Sequence, residues 1–271
     1  MGRTGRVLAA IIALWPVTRL SAQPIATPVV PVVDVIQGVT VRDPYRWLED
    51  SADPKVQAWS QAQNAHTHLY LDALSSRAGI RTKLAALVDS AKPSFSHFLA
   101  RGPSIFCLLK DPAKEQRILV ALDAAGDPES RKVVLDPNLA DAAGSATIDW
   151  FSPSPDGSLV ALSLSRNGSE NGTLHLYDKA GGKEIGEPIP DVQHATASGS
   201  LAWAADGTGF WYTRYPGEER AEPDRTFWEQ VYFHKLGGDW RQDRLALGTQ
   251  DGLPRIAEIV LDNDNFRNFA T

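Results

Sequence analysis

Two kinds of hydrophobic spacing divide this chain. Between Asp53 and Val88, apolar positions recur every three to four residues: Val56, Trp59, Ala62, Ala65, Leu69 and Ala73, then Ile80, Leu84, Leu87 and Val88. That period predicts two amphipathic helices, over 54–74 and 77–88. Asp53-Pro54 supplies an N-cap with proline at the first helical position, and Lys92-Pro93 ends the helical part. From about Phe95, short apolar runs alternate with Gly, Pro, Asp and Asn, the pattern of an all-β array. It predicts strands at 104–109, 117–122, 132–135, 147–151, 159–163, 173–177, 201–204, 209–213, 230–234, 244–247 and 256–261. Ahead of the helices, residues 23–40 are rich in Pro and Val, and Pro24, Pro28 and Pro31 predict an extended arm.

The β part repeats itself. Trp150 precedes Asp156-Gly157 and Trp203 precedes Asp206-Gly207, with the two Asp-Gly pairs 50 positions apart. Each pair is followed by an apolar strand and then by a strand with polar edges. A repeat of this length fits four-stranded propeller blades, none of which buries both faces without neighbours. The expected blades are 95–135, 147–185 and 201–247, with a fourth starting near Ile256 and its turn at Asn263-Asp264-Asn265. Propellers close with about four to eight blades, so this array reads as incomplete.

A hydrophobic content of 43% with 22% charged residues is that of a globular chain with a sizeable core. Arg3 and Arg6 lead into an apolar run from Val7 to Trp15, too short to span a bilayer, and Leu20-Ser21-Ala22 offers a cleavage site. Residues 1–22 are therefore expected to be a signal peptide, and the protein to be exported to the periplasm or secreted. The formal charge of −6 becomes −9 without that segment, which argues against nucleic acid as a partner. No later apolar run reaches the length of a membrane span. The single cysteine, Cys107, lies in an apolar run and is expected to be a buried strand thiol.

Candidate chemistry is sparse. The nucleophile elbow G-x-S-x-G is absent, and the one Gly-x-Ser, Gly102-Pro103-Ser104, reads as a hairpin entering a strand. His66 and His68 stand two apart on a helix and point about 200° apart, so solvated polarity explains them better than a shared metal. His97, His175, His194 and His234 have no Glu or Cys at ligand spacing, and no zinc or nucleotide motif occurs, so no cofactor is indicated. Asp149, Asp156, Asp206, Asp262 and Asp264 invite a two-carboxylate glycosidase reading, but turn chemistry explains most of them better. Asn167-Gly168-Ser169 and Asn171-Gly172-Thr173 match glycosylation acceptors within one expected hairpin loop.

The most specific stretch is Asp43-Pro44-Tyr45-Arg46-Trp47-Leu48-Glu49-Asp50, framed by Asp53-Pro54, Trp59, Gln61, Gln63, Asn64 and Tyr70-Leu71. Together with Val134-Leu135-Asp136-Pro137-Asn138, Ser154-Pro155-Asp156-Gly157, Phe210-Trp211-Tyr212-Thr213-Arg214-Tyr215-Pro216 and 230–237, it resembles the N-terminal part of the prolyl oligopeptidases. The similarity runs from about Val35 to Leu261. It implies a mixed fold: an N-terminal helical segment of an α/β-hydrolase domain, then part of a propeller that is seven-bladed in the family. It also implies peptide substrates cleaved after proline by a Ser/Asp/His triad in a C-terminal part. None of those three positions aligns with this chain, so no catalytic residue is carried over. An aromatic that walls the proline pocket in the family falls near Ala197-Ser198-Gly199-Ser200, where this sequence has small residues.

Within the signature, Pro44 restricts the entry, Tyr45 and Trp47 offer large apolar bodies, and Arg46, Glu49 and Asp50 offer charges for pairing. With Asp43 they are expected to form an interdomain anchor. The expected organisation is a signal peptide over 1–22, a peptidase-packing segment over 23–92 and a partial propeller over 93–271. On this reading the chain is the N-terminal and propeller portion of a prolyl oligopeptidase-type serine peptidase and is inactive alone. The alternative is a stand-alone propeller-like module that binds peptides or proteins without catalysis.

Overall fold

The computed structural model describes residues 25–123, 127–140, 144–256, 258–264 and 267–270. The expected signal peptide lies outside these residues. The chain divides into two compact units, Met1–Val88 and Asp89–Thr271.

In the first unit, strands β1 (Val32–Ile36) and β2 (Val39–Asp43) form an antiparallel hairpin. Gln37 and Gly38 join them with φ of 50° and 80°, the left-handed pair that a two-residue hairpin turn requires. This corrects the expectation of an extended arm throughout 23–40. Pro28 and Pro31 keep only the chain before β1 out of regular structure, and the Val-rich run beyond them pairs with itself. Helix α1 (Pro54–Asp72) begins as expected, with the Asp53 side chain accepting from the Lys55 amide. Helix α2 (Arg77–Asp89) follows. Within these helices only Val56 is buried; Leu69, Ile80, Leu84, Leu87 and Val88 are all more than half exposed.

The second unit is a series of antiparallel sheets. The first has β3 (Ser94–Arg101), β4 (Ser104–Lys110), β5 (Ile118–Leu122) and β6 (Lys132–Leu135) in sequence order. The second has β7 (Ala146–Pro153), β8 (Leu159–Arg166) and β9 (Gly172–Asp178), with β10 (Lys183–Glu184) and β11 (Ile189–Gln193) both pairing with β9. In the third, β12 (Leu201–Trp203), β13 (Gly209–Arg214), β14 (Gln230–Lys235) and β15 (Arg244–Leu247) again lie in order. A hairpin of β16 (Leu261–Asp264) and β17 (Arg267–Ala270) comes next.

Three expectations shift. Strand β3 was not foreseen, because SFSHFLAR is half polar and is broken by a register slip at His97, whose φ is 56°. The second sheet runs on to Gln193 instead of stopping at 185, its last strand interrupted around Asp191, where φ is 59°. The strand expected over 256–261 starts only at Leu261, so Asn263 and Asp264 of the expected turn are strand residues, while Asn265 lies outside the described residues.

Consecutive sheets share apolar seams, as stacked blades must. Phe106, Leu108, Leu119, Ala121 and Val134 of the first sheet meet Ile148, Phe151, Val160, Leu162 and Leu164 of the second. Leu174, Leu176, Ile189 and Val192 of the second meet Leu201, Trp203, Phe210, Tyr212 and Tyr232 of the third. Ala202 and Val231 then pack with Ile259 and Leu261. Cys107 is fully buried on β4, and burial pushes its thiol pKa up.

The repeated turns are alike bond for bond. In one, the Ser154 amide donates to Leu159 O and the Gly157 amide to Ser154 O; in the other, Ala204 donates to Gly209 O and Gly207 to Ala204 O. Asp156 and Asp206 each accept from the amide two residues on, at 3.0 Å, and also from that residue's hydroxyl. Their surroundings differ. A Cβ on Gly157 would fall 2.5 Å from Arg101 O, and one on Gly102 2.2 Å from Asp156 O, so the β3–β4 and β7–β8 turns dock through two glycines. Gly207 has the same left-handed φ, 71°, with nothing within 4 Å. Gly207→Ala is expected to cost about 1–2 kcal/mol of unfolding free energy, the backbone penalty alone. Gly102→Ala should cost about 3 kcal/mol or more, since backbone must also move. Equal losses in urea denaturation would refute the docking.

Candidate functional site

The signature residues work first as stitching within their own unit. Arg46 bridges Asp34 of β1 at 2.5 Å and Asp43 at the end of β2 at 3.3 Å. The Tyr45 amide, at 2.8 Å, and after it the Arg46 guanidinium hold the Asp43 carboxyl below its usual range. Trp47 Nε1 donates to Pro28 O at 2.9 Å and its ring stands edge-on to Trp59, centroids 6.2 Å apart. Trp59 Nε1 in turn reaches Thr27 Oγ1, and Gln63 reaches Ile25 O. Pro44 O accepts from the Val30 amide. The arm ahead of β1 is thereby fastened to α1. Tyr45, Glu49 and Asp50 instead face outward, with Asp50 Oδ1 accepting from the Ala52 amide. The seven residues thus form two groups, one turned inward and one exposed.

Residues singled out for possible chemistry mostly resolve into structure. Ser104 is 2% exposed, and its Oγ accepts from Lys179 Nζ at 2.8 Å, a tie from the second sheet to the first. An ammonium donating to a buried hydroxyl supplies neither a base nor access for substrate. Asp149 is not a turn residue: it lies on β7 and accepts from Ser163 at 2.7 Å and Ser165 at 2.6 Å on β8. Burial raises its pKa despite both bonds. His68 is exposed, but His66 is only half so, with Nε2 shielded and unpartnered. Asn167 and Asn171 both fall in the β8–β9 loop as expected, and Asn171 Oδ1 lies 2.6 Å from His194 Nδ1. Among the described residues no group of three His, Cys, Asp or Glu is placed to hold a metal ion.

Spatial pairing of histidines with carboxylates was invisible in sequence spacing. His175 lies 2.6 Å from Glu184, and His234 3.0 Å from Asp243, which also accepts from Tyr212 OH. His194 lies 3.3 Å from Asp191 and edge-on to Tyr215. Asp191, His194 and Asn171 of the second sheet, with Arg214, Glu219, Arg225, Thr226 and Trp240 of the third, line a cavity of about 530 Å³ at the second seam. Close by, Glu229 is fully buried. Its Oε2 accepts from the Ile259 amide at 2.9 Å, its Oε1 has no partner, and burial pushes its pKa up to about 7. The signal for this region is Arg214 itself, a charged residue closing an apolar strand; its burial depends on rings elsewhere in the chain. The small residues Ser198 and Gly199 border a separate cavity of about 520 Å³ with Trp150 and Asp149. A Cβ on Gly199 would lie 2.1 Å from Val192 O, so the backbone there admits no side chain.

Comparison with known proteins is consistent along the chain. Residues 24–265 match the family described as prolyl oligopeptidase, N-terminal beta-propeller domain. A prolyl endopeptidase of Elizabethkingia meningoseptica is 32% identical over 237 residues, covering 86% of this chain and 32% of that protein. One from Elizabethkingia miricola is 33% identical over 224 residues, covering 82% and 30%. This chain therefore spans about a third of the length of these relatives. Among solved structures, one from a study of two prolyl endopeptidases superposes with a TM-score of 0.69 at 29% identity, covering 83% of this chain and 32% of that one. Prolyl oligopeptidase B from Galerina marginata shares the fold, with a TM-score of 0.69 at 23% identity. Among the described residues no helix is long and apolar enough to cross a membrane.

Proposed function

The chain belongs to the prolyl oligopeptidase family, as its N-terminal β-propeller region, and from that premise we propose that it serves a serine endopeptidase that cleaves short peptides after proline. The observation that carries this reading is the family match over residues 24–265, together with three consecutive antiparallel sheets, of four, five and four strands, and the hairpin that follows them. On this proposal the working enzyme has a seven-bladed propeller, and a hydrolase domain supplies the Ser, His and Asp for acyl transfer. The first unit is the segment that packs on that domain. Its exposed Leu69, Ile80, Leu84, Leu87 and Val88 supply the apolar surface, and Tyr45, Glu49 and Asp50 the outward rim of the anchor. Export by the N-terminal segment belongs to the same proposal. So does an altered proline pocket, since Ser198 and Gly199 stand near where the family carries an aromatic.

The test is an assay of the gene product, isolated from the cells that make it, on short blocked peptides with and without an internal proline. The expected result is cleavage on the carboxyl side of proline, abolished by a serine-directed phosphonylating reagent, in material recovered outside the cytoplasm. The 271-residue chain alone should show none. Absence of hydrolysis by the native product, or cleavage indifferent to proline, overturns the proposal.

A further inference from the structure

The second-seam cavity holds a donor that neither the sheet cores nor the proposed peptidase reaction uses. Arg214 ends β13 and is only 7% exposed. Its guanidinium lies 4.6 Å from the centre of the Tyr232 ring and 5.3 Å from that of Trp240. Rings take up its flat surfaces, so polar partners must come to its edges. Nη2 donates to Glu219 Oε1 at 3.0 Å, while Nε is shut off from water and has no partner. The edge formed by Nε and a neighbouring Nη is the one that matches the two oxygens of a carboxylate. Here that fork is half used. Its present occupant is no fixed part of the core: the Glu219 side chain is 59% exposed and reaches in from a surface turn.

We propose that this cavity binds a carboxylate, whether a peptide C-terminus or an acidic side chain, on Nε and Nη2 of Arg214, and that Glu219 is a resident stand-in which the ligand displaces. The exchange replaces one charge-assisted bond with two and satisfies a buried donor, while Glu219 moves into water that it already touches. Arg225 and Thr226 line the same cavity and add positive charge and a hydroxyl near the entering group. Asp191 is turned to His194, and Glu218, exposed at the rim, opposes a second anion. Binding is accordingly of moderate strength and weakens with salt. The site stands independently of whether the protein cleaves after proline.

Calorimetric titration of the 271-residue chain tests it, with N-acetylglycine as the terminal carboxylate, N-acetylaspartic acid α-amide as the side-chain carboxylate and N-acetylglycinamide as the neutral control. At least one acid should bind saturably and the amide should not; whichever acid binds tighter identifies the source. Glu219→Ala should tighten binding roughly tenfold by removing the internal competitor, the reverse of what loss of a structural contact would do. Arg214→Lys keeps the charge but not the fork and should weaken binding at least about tenfold. If Arg214→Lys fails to fold, Glu219→Ala decides alone. No saturable binding of either acid to both wild type and Glu219→Ala overturns the proposal. So does weaker or unchanged binding in Glu219→Ala, or unchanged binding in a folded Arg214→Lys.

Discussion

Replacing Glu229 by glutamine should remove a pH dependence of stability worth roughly 3 kcal/mol. The carboxyl is fully buried, and its pKa stands at about 7 against an ordinary 4.5. Burial is the largest cause, opposed by the Ile259 amide and the Thr213 hydroxyl and reinforced by the charge of Glu258. Between those two values the folded chain holds a proton that the unfolded chain has lost. Stability therefore falls as pH rises through that window, by about 1.4 kcal/mol per unit where the difference is complete. Glutamine keeps an acceptor for the Ile259 amide and does not titrate. Urea midpoints for wild type and Glu229→Gln should lie close together near pH 4.5 and diverge in favour of the variant towards pH 8. Parallel curves would show that Glu229 titrates as an ordinary surface acid. Comparing the two proteins matters because Asp149 is also raised by burial and contributes equally to both.

Trp203→Ala should cost about 3–5 kcal/mol, the range for emptying a large buried aromatic site. The residue is 1% exposed, lies edge-on to Phe210 with centroids 5.3 Å apart, and sends Nε1 across the second seam to Ser152 O at 3.1 Å. Alanine leaves a void between two sheets and removes the bond to Ser152 O. Trp203→Phe fills most of the space and loses mainly the hydrogen bond, so it should cost about 1–2 kcal/mol. Denaturant unfolding of the two variants separates packing from polar bonding at this seam. A loss below about 1 kcal/mol for alanine would mean that the sheets do not depend on each other there.

What could be read from the sequence follows from how local each constraint is. The Asp-Gly turns were legible because a left-handed glycine and an aspartate bonding two residues ahead are requirements of a few adjacent residues. The start of α1 was legible for the same reason, since Asp53 and Pro54 act within one turn. The β1–β2 hairpin was hidden by its surroundings: three prolines nearby outweighed a Gln-Gly turn between two Val-rich runs. Strand β3 was missed because a sheet edge makes little demand for apolar residues. The second-seam cavity was illegible for a deeper reason. Arg214 is enclosed by Tyr232 and Trp240, 18 and 26 positions further on, and His194 is paired with Asn171, 23 positions back, so their environments exist only once distant stretches of chain are folded together. For the signature, the composition of Asp43–Asp50 marked the family, but its division into an inward group and an outward rim required the arm and β1 to be in place.

The seams also set a schedule for folding. Each sheet is built from strands consecutive in the chain, so it forms through local closures, whereas its seam must wait for the next sheet to be made. Synthesis at about 5–20 residues per second separates neighbouring sheets by several seconds, far longer than a hairpin takes to close. During that interval Phe106, Leu108 and Leu119, or Leu174, Leu176 and Ile189, present a bare apolar face on an otherwise finished sheet. The nascent propeller therefore passes through a regular succession of adhesive intermediates, one for each sheet awaiting its neighbour, and those intervals are when a chaperone is most needed.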